Sequence, residues 1–322
     1  MNSERIRMLQ NRFLADIERK TINGSTPLIV FIGDSITLGV PLKDPSHAYP
    51  DMFDSNISRA SGGGAPYLAR NVSGPGGNIE DEAKVFAALF DEYKPNIKLM
   101  VLGYCQNDIF TSIDEGRGII GILDRLRESR KIGMDKSGDP MFYYWNRRQN
   151  RDMVRNAFKK IEDTARRHGT DVVIAIFPLF IDFGKRDYRY REIHERVSDA
   201  AEKEGLKVFD LLDVYGMFDA SSFITDNDNT HPNPLGHKFA ADALYKFISS
   251  NVLRDLPGIV DSGDFYEIED SDRAAEFCGP LYRGENQAGR AACERVLAEL
   301  AGNGKLLGNL KDREHFFINF EL

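Results

Sequence analysis

Residues 27–39 read PLIVFIGDSITLG, and this stretch gives the first indication of the fold class. Its first half, residues 27–33, is short, continuously apolar and rich in β-branched residues. Such a run is typical of a strand that is buried on both faces, as the strands of parallel sheets are. Its second half turns at Gly33-Asp34-Ser35, just past the predicted strand, where open α/β sheets place their ligand sites. The stretch therefore predicts a buried parallel strand that leads into a candidate functional serine.

Similar apolar runs recur along the chain and alternate with helical patterns. The runs lie at residues 97–103, 172–177 and 206–210, with a weaker one at 67–72. The helical patterns lie at about 79–93, 147–168, 187–204 and 234–250. Strands that alternate with helices of this length predict an α/β fold with a parallel sheet and right-handed crossovers.

The composition excludes several classes of protein. The chain has 322 residues, with 42 Lys+Arg against 50 Asp+Glu and a net charge of −8. Nucleic acids and anionic membranes are bound by clustered Lys and Arg, so neither is expected as a partner. The three cysteines are too few and too scattered for a disulfide scaffold or a zinc cluster. We expect free thiols, no metal and no cofactor.

The N-terminal residues and the most apolar run of the chain bear on its cellular location. The first 20 residues are charged throughout and lack the apolar core of a signal peptide. The most apolar run, residues 172–181, is ten residues long and contains Pro178. A membrane helix needs about 20 such residues. The sequence therefore predicts a soluble, cytoplasmic protein.

The length allows one large domain with additions or two modest domains. We expect a docking helix within residues 1–24, a core domain over 25–251 and a C-terminal extension over 252–322. An insertion over residues 109–150 interrupts the core domain. The extension has a helical pattern at about 286–300. This helix is expected to pack on the core or on a second copy of the chain, which would make a homo-oligomer.

Three loops that follow predicted strands carry candidate functional residues. Ser35 lies near the start of a helix, where backbone N–H groups and the helix dipole favour a developing anion. Gly74, in the glycine-rich loop NVSGPGG, can bring its N–H close to a ligand, and the Asn107 side chain offers an amide donor. Simpler interpretations also fit: Ser35 caps the helix, the glycine loop is a plain turn, and Asn107-Asp108 forms an Asx turn.

A fourth candidate segment, DNDNTHPNPLGH, precedes the last core helix at residues 226–237. Asp228 and His231 are three residues apart, so a helix-like turn would place both side chains on one side. The carboxylate could then accept the imidazole Nδ1–H and leave Nε2 as a base. His237 lies inside the helix and is expected to be a packing or surface residue. The chain has no ligand spacing such as HExxH, so no metal site is predicted here.

The order of these motifs resembles the four blocks of the SGNH/GDSL hydrolase family. The matching segments are Gly33-Asp34-Ser35, Gly74-x-x-Gly77, Asn107-Asp108 and Asp228-x-x-His231. The resemblance covers about residues 25–251 and implies a three-layer α/β/α sandwich with a mostly parallel, five-stranded sheet of flavodoxin-like topology. The third block departs from the usual Gly-x-Asn-Asp, because Cys105-Gln106 precedes Asn107.

The resemblance also implies roles for individual residues. Ser35 matches the nucleophile, Asp228 and His231 match the other triad members, and Gly74 and Asn107 match donors of the oxyanion hole, to which the Ser35 N–H also belongs. The expected activity is serine-dependent hydrolysis of a carboxylic ester through an acyl-enzyme.

The substrate and two other functions stay open at this point. We expect a small acyl group, such as O-acetyl on a polar or sugar-like molecule, because no extended apolar lid is evident in the sequence. The alternatives are an O-acyltransferase that uses the same triad and a catalytically silent binding module with the same fold. Tyr143, Tyr144 and Trp145 could line the substrate pocket or simply pack the insertion onto the domain.

Overall fold

The structure, a computed structural model, describes residues 27–62, 64–93, 96–109, 139–180, 188–215, 223–225 and 228–257. The predicted N-terminal helix, most of the insertion and nearly all of the C-terminal extension lie outside these residues, so the predicted domain boundaries stay predictions. The chain divides into two compact units. The first comprises Met1–Val40, Tyr67–Leu179 and Tyr188–Leu212, and the second Pro41–Pro66, Phe180–Asp187 and Asp213–Leu322.

The first unit is built on a parallel sheet. Its strands are β1 (Leu28–Gly33), β2 (Leu68–Asn71), β3 (Ile97–Tyr104), β4 (Asp171–Ile176) and β5 (Lys207–Asp210). They lie in the order β2-β1-β3-β4-β5, and every neighbouring pair is parallel. The order reverses between β1 and β3, and open sheets of this kind bind ligands at the carboxyl ends of the strands at that point. All six residues of β1 are buried, as its apolar run predicts.

Helices connect these strands. Those described are α1 (Ser35–Leu38), α2 (Tyr49–Ala60), α3 (Ile79–Tyr93), α4 (Pro140–Asn146), α5 (Arg148–His168), α6 (Arg191–Lys203), α7 (Leu212–Tyr215) and α8 (Pro234–Asn251). In the first unit, α3 contacts β1, α5 contacts β4 and α6 contacts β5. The longest, α5, buries Val154, Phe158, Ile161 and Ala165, which recur at helical spacing along one stripe. Among the described residues, no helix is long and apolar enough to cross a membrane.

The second unit contains a helix pair and a short antiparallel ribbon. Helices α2 and α8 pack together, and the ring centroids of Phe53 and Tyr245 are 5.3 Å apart. The ribbon pairs β6 (Ile224–Thr225) with β7 (Asp228–Pro232). Asn233 follows β7 and caps α8 by accepting the Gly236 N–H at 2.9 Å. The ribbon therefore leads directly into the last helix.

The predicted fold class is confirmed: the chain has a five-stranded parallel sheet flanked by helices. The predicted strands are present to within about two residues at either end. Helix α6 begins at Arg191, four residues after the predicted start at 187. Helix α2 was not predicted, although Tyr49, Phe53 and Ile57 are spaced for one buried face and Pro50 lies in the first turn, where proline is tolerated.

Candidate active site

The candidate nucleophile lies where β1, α1 and β3 approach closely. Gly33 ends β1 and pairs with Gly103 of β3, and Ser35 is the first residue of α1. A Cβ at position 33 would lie 2.2 Å from Thr37 Oγ1 and 2.9 Å from the Gly103 carbonyl oxygen. Only glycine fits there, because both neighbours are closer than real Cβ contacts allow. Helix α1 ends after one turn at its C-cap, Gly39, whose backbone lies in the left-handed region with φ 90°.

Asp34 organises this turn. Its side chain is buried, and its Oδ1 accepts the Ile36 N–H at 2.9 Å, so Asp34 is the N-cap of α1. The alternative that Ser35 caps the helix is therefore wrong. Ser35 is half-buried, with its Oγ 3.5 Å from Asp34 Oδ2. The hydroxyl is thus left at the carboxyl end of β1 rather than being used to cap the helix.

The Gly74 loop is attached to the same turn. The Gly74 N–H donates to the Gly33 carbonyl oxygen at 3.3 Å. Asn71, at the end of β2, donates from Nδ2 to the Thr37 carbonyl oxygen of α1 at 2.8 Å, while its Oδ1 accepts the Ser73 N–H at 3.2 Å. One amide side chain therefore links the helix that begins at the serine with the loop that carries Gly74.

Asn107 reaches the turn from the end of β3. It lies in the 3-10 helix Gln106–Ile109, and its Nδ2 donates to Asp34 Oδ2 at 3.0 Å. The inserted residues of the third block thus do not carry Asn107 away from the serine. The structure brings Ser35, Gly74 and Asn107 together around the Gly33–Asp34 turn, as predicted from their positions after parallel strands.

The neighbours of Asn107 are buried and structural. Asp108 Oδ2 accepts the N–H of Cys105, three residues before it, at 2.6 Å and so closes the turn from within. This is not an Asx turn, in which the side chain accepts the N–H two residues further along the chain. Burial raises the pKa of Asp108 well above its usual value, and the charges of Glu82 and Asp34 add to the shift. Burial likewise raises the pKa of Cys105 well above its usual value, with Asp34 and Asp108 contributing. The Cys105 thiol therefore stays protonated near neutral pH and does not compete with Ser35 as a nucleophile.

The second unit holds the remaining two candidates. Asp228 and His231 lie in β7, so the segment is extended and does not form the helix-like turn that the spacing suggested. The reason is local: His231 precedes Pro232 and Asn233 precedes Pro234, and a residue before proline is disfavoured in the helical region. His231 is half-buried, with Nδ1 3.0 Å from Thr230 Oγ1. The triad roles of Asp228 and His231 stay a prediction.

His237 is a buried packing residue in the second unit, as predicted. Its Nδ1 accepts the Tyr49 N–H at 3.3 Å, and its ring stacks on the Tyr49 ring with centroids 6.1 Å apart. Burial, with smaller contributions from His231 and His47, lowers the pKa of His237 to about 3. The imidazole is therefore neutral at any pH at which an esterase would work.

The aromatic candidates fall on α4 in the first unit. Tyr144 is 6% exposed and Trp145 is 2% exposed, whereas Tyr143 is half-buried, with the Arg147 guanidinium 5.8 Å from its ring centre. Side chains as buried as Tyr144 and Trp145 favour the packing role that the sequence also allowed. Tyr143 keeps an accessible face.

Two residues of this site, Asp34 and Asn71, were not identified as functional from the sequence. Asp34 could have been identified from its position, because aspartate directly before a helix is a preferred N-cap. Asn71 had no comparable signal, since its partner in α1 is 34 residues away. Among the described residues, no group of three or more His, Cys, Asp or Glu side chains is arranged to hold a metal ion.

Comparison with known proteins identifies the family. Residues 31–239 match the GDSL-like lipase/acylhydrolase family. No curated protein matches the chain. Solved structures similar to this chain include TesA, at 19% identity and a TM-score of 0.47, over 69% of this chain and 98% of that one.

Two further solved structures are similar to the chain. A psychrotrophic esterase, EstA, from Pseudoalteromonas sp. has 14% identity and a TM-score of 0.43, over 69% of this chain and 97% of its own. An acetyl xylan esterase has 15% identity and a TM-score of 0.45, over 70% of this chain and 100% of its own. Because the family match spans more than half of the chain and includes Ser35, Asn107 and His231, the chain belongs to the GDSL-like lipase/acylhydrolase family of serine hydrolases.

Proposed function

We propose that the chain is an esterase in which Ser35 attacks the carbonyl carbon of a carboxylic ester. The observation that supports this proposal best is the arrangement around the Gly33–Asp34 turn. There, Ser35 Oγ lies 3.5 Å from Asp34 Oδ2, and the same carboxylate oxygen accepts the Asn107 amide at 3.0 Å. A nucleophile and a side-chain amide donor are thus held by one buried carboxylate at the carboxyl ends of β1 and β3.

The proposed reaction has two halves. His231 Nε2 takes the Ser35 proton as Oγ bonds to the carbonyl carbon, and the collapse of the tetrahedral intermediate releases the alcohol, which receives that proton from His231. Water then attacks the acyl-enzyme, gives a proton to His231 and releases the acid as Ser35 is protonated again. Asp228 is proposed to orient the imidazole and stabilise its cation.

The oxyanion of each tetrahedral intermediate is proposed to bind the backbone N–H groups of Ser35 and Gly74 and the Asn107 amide. One hydrogen of Asn107 Nδ2 is directed at Asp34, which leaves the second for the substrate. The Gly74 N–H bonds the Gly33 carbonyl only at 3.3 Å. A developing oxyanion is a stronger acceptor than a backbone carbonyl, so this donor can turn to it as charge forms.

We propose a small acyl group, such as acetyl, on a polar or sugar-like alcohol. Support comes from the sequence, which has no long apolar lid segment to cover an extended acyl chain. Tyr143, half-buried beside the Arg147 guanidinium, offers an aromatic face and a cation on which a polar alcohol group can pack. A panel of p-nitrophenyl esters of increasing chain length, with acetylated sugars beside it, tests this choice.

Replacement of the nucleophile is the central test. Ser35→Ala should lower kcat for p-nitrophenyl acetate by at least about 10⁴-fold, as loss of a serine nucleophile does, and should abolish labelling by a fluorophosphonate. Ser55→Ala is the matched control, because Ser55 is exposed on α2 and, among the described residues, its hydroxyl bonds only the Asp51 carbonyl oxygen, at 3.0 Å. Both variants should keep the wild-type circular dichroism spectrum. Full activity of Ser35→Ala would refute the assignment, and acyl transfer to an added alcohol in place of acid release would indicate an acyltransferase.

A further inference from the structure

The 3-10 helix that carries Asn107 is anchored by a side chain that family membership does not explain. Gln106 is fully buried, and its Nε2 donates to the Tyr188 hydroxyl at 3.0 Å. That hydroxyl also accepts the Leu179 N–H at 2.7 Å and lies 3.2 Å from the Leu179 carbonyl oxygen, to which it can donate. Tyr188 thus ties the turn after β3 to the backbone just past β4, within the first unit.

The other end of the same turn is also anchored. The Ile109 carbonyl oxygen accepts Asn150 Nδ2 of α5 at 2.9 Å, and Asn150 is fully buried. Asp108 closes the turn internally through the Cys105 N–H. Asn107 therefore lies between two attachments, one at the residue before it and one two residues after it.

We propose that Gln106 and Tyr188 are positioning residues that set the place of the Asn107 amide in the oxyanion hole. The inference rests on the proposed function, since it assumes that Asn107 donates to the oxyanion. Gln106 is one of the residues by which this chain departs from the usual third block, and its bond to Tyr188 compensates for the altered path. A hydrogen-bond donor displaced by about 1 Å loses much of its effect on a transition state.

Two variants, Gln106→Met and Tyr188→Phe, remove the hydrogen bond between Gln106 and Tyr188, and they differ in which polar groups lose a partner. Gln106→Met removes the amide, whose Oε1 has no hydrogen-bond partner among the described residues, and leaves the Tyr188 hydroxyl bonded to Leu179. It should therefore change stability little. Tyr188→Phe removes the hydroxyl itself and leaves the Gln106 amide and the Leu179 N–H without it. It is expected to change both stability and catalysis, so Gln106→Met is the cleaner variant.

Tyr190→Phe is the matched control. Tyr190 is two residues from Tyr188 and is also buried, but its hydroxyl donates to Asp139 Oδ2 at 3.1 Å, and Asp139 caps α4. Like Tyr188→Phe, this variant removes a buried tyrosine hydroxyl from the same segment, but the hydrogen bond that it breaks, to Asp139, does not involve the 3-10 helix. We expect kcat of this variant to match that of the wild type.

The test measures kcat and KM for p-nitrophenyl acetate, well below each variant's unfolding temperature. Asn107→Ala should lower kcat about 10²-fold or more, as loss of an oxyanion donor does. Gln106→Met and Tyr188→Phe should lower kcat by roughly five- to fifty-fold with KM within about twofold, because a misplaced donor keeps part of its effect. In the Asn107→Ala background, Gln106→Met should have no further effect on kcat, since there is no amide left to position.

The outcomes separate the two proposals. If Asn107→Ala keeps full activity, Asn107 is not an oxyanion donor, and this part of the proposed function falls together with the inference. If Asn107→Ala is impaired but Gln106→Met keeps the wild-type kcat, only the inference is overturned. It is also overturned if Gln106→Met lowers kcat by the same factor with and without Asn107, or if Tyr190→Phe is as impaired as Tyr188→Phe.

Discussion

Because Lys238 is buried, we expect the free energy of unfolding to rise with pH under mildly alkaline conditions. Its ammonium is buried in α8 and lies 2.7 Å from Asp242 Oδ2, while Asp242 Oδ1 accepts Asn56 Nδ2 of α2 at 3.0 Å. Burial lowers the pKa of Lys238 from 10.5 to about 8, even though the Asp242 carboxylate opposes the shift. The ion pair thus does not fully compensate for the loss of hydration.

The sign and size of the effect follow from the two pKa values. In the unfolded chain the lysine keeps a pKa near 10.5, so between pH 8 and 10.5 the unfolded state binds more protons than the folded state. The free energy of unfolding therefore increases with pH in this window. The full shift is worth about 3 kcal/mol, and about 2 kcal/mol of it falls between pH 7.5 and 9.5.

Cys105 opposes this trend and must be separated from it. Its pKa is raised by burial, so the folded state keeps the thiol proton at a pH where the unfolded chain has begun to lose it. That difference lowers the free energy of unfolding above about pH 8.5. The quantity to measure is therefore the difference between the wild type and Lys238→Met/Asp242→Leu, which keeps Cys105 but has neither partner of the ion pair.

Urea unfolding, followed by circular dichroism at pH 7.5, 8.5 and 9.5, gives this difference directly. We expect the wild type to gain about 2 kcal/mol relative to the double variant between pH 7.5 and 9.5. The single variant Asp242→Leu should lose about 3–5 kcal/mol at pH 7.5, because it leaves a buried ammonium without its partner. If the wild type and the double variant keep a constant difference, within about 0.5 kcal/mol, the reasoning about Lys238 is refuted.

Two further predictions concern Gly33 in the first unit and His237 in the second unit. Gly33→Ala should lower the free energy of unfolding by about 1–3 kcal/mol and lower kcat, because its Cβ would lie 2.2 Å from Thr37 Oγ1. Gly64→Ala should change neither, because among the described residues its Cβ would meet only the Ser61 carbonyl oxygen, at 4.0 Å. Equal behaviour of the two variants in urea titrations would contradict this account. The pKa of His237 is about 3 in the folded state and near 6.5 when unfolded, so stability is lost as the pH falls below 6.5. His237→Asn should lose about 2–3 kcal/mol less than the wild type between pH 6.5 and 4.5, and equal losses in acid titrations would show that the imidazole is not held neutral.

Much of the fold follows from local patterns in the chain. The apolar run at residues 27–33 and its counterparts predicted parallel strands because a strand buried on both faces must be apolar at every position. These strands are present, and their parallel pairing brings their carboxyl ends to one edge of the sheet. Helix α2 was not predicted, although Tyr49, Phe53 and Ile57 already show its buried face. The signal was present in the sequence, and Pro50 agrees with it, because proline is tolerated in the first turn of a helix.

The candidate site was predictable in its residue types but not in its connections. Ser35, Gly74 and Asn107 were identifiable because each follows a strand of a parallel sheet, and such strand ends converge. The bond from Asn107 to Asp34 and the bond from Gln106 to Tyr188 join residues 73 and 82 positions apart. No periodicity in the sequence encodes such pairs, because each depends on how two separate elements pack.

The α/β class and the strand-end positions of Ser35, Gly74 and Asn107 follow from the sequence alone. They depend on the burial of apolar side chains in short runs, which is a property of near neighbours in the chain. Tertiary packing, in contrast, makes the buried Asp34 carboxylate hold both the serine turn and the Asn107 amide, which lies 73 residues away. Only the folded chain could decide this, because a buried polar atom must find a partner, and the partners within reach are set by the packing of distant segments.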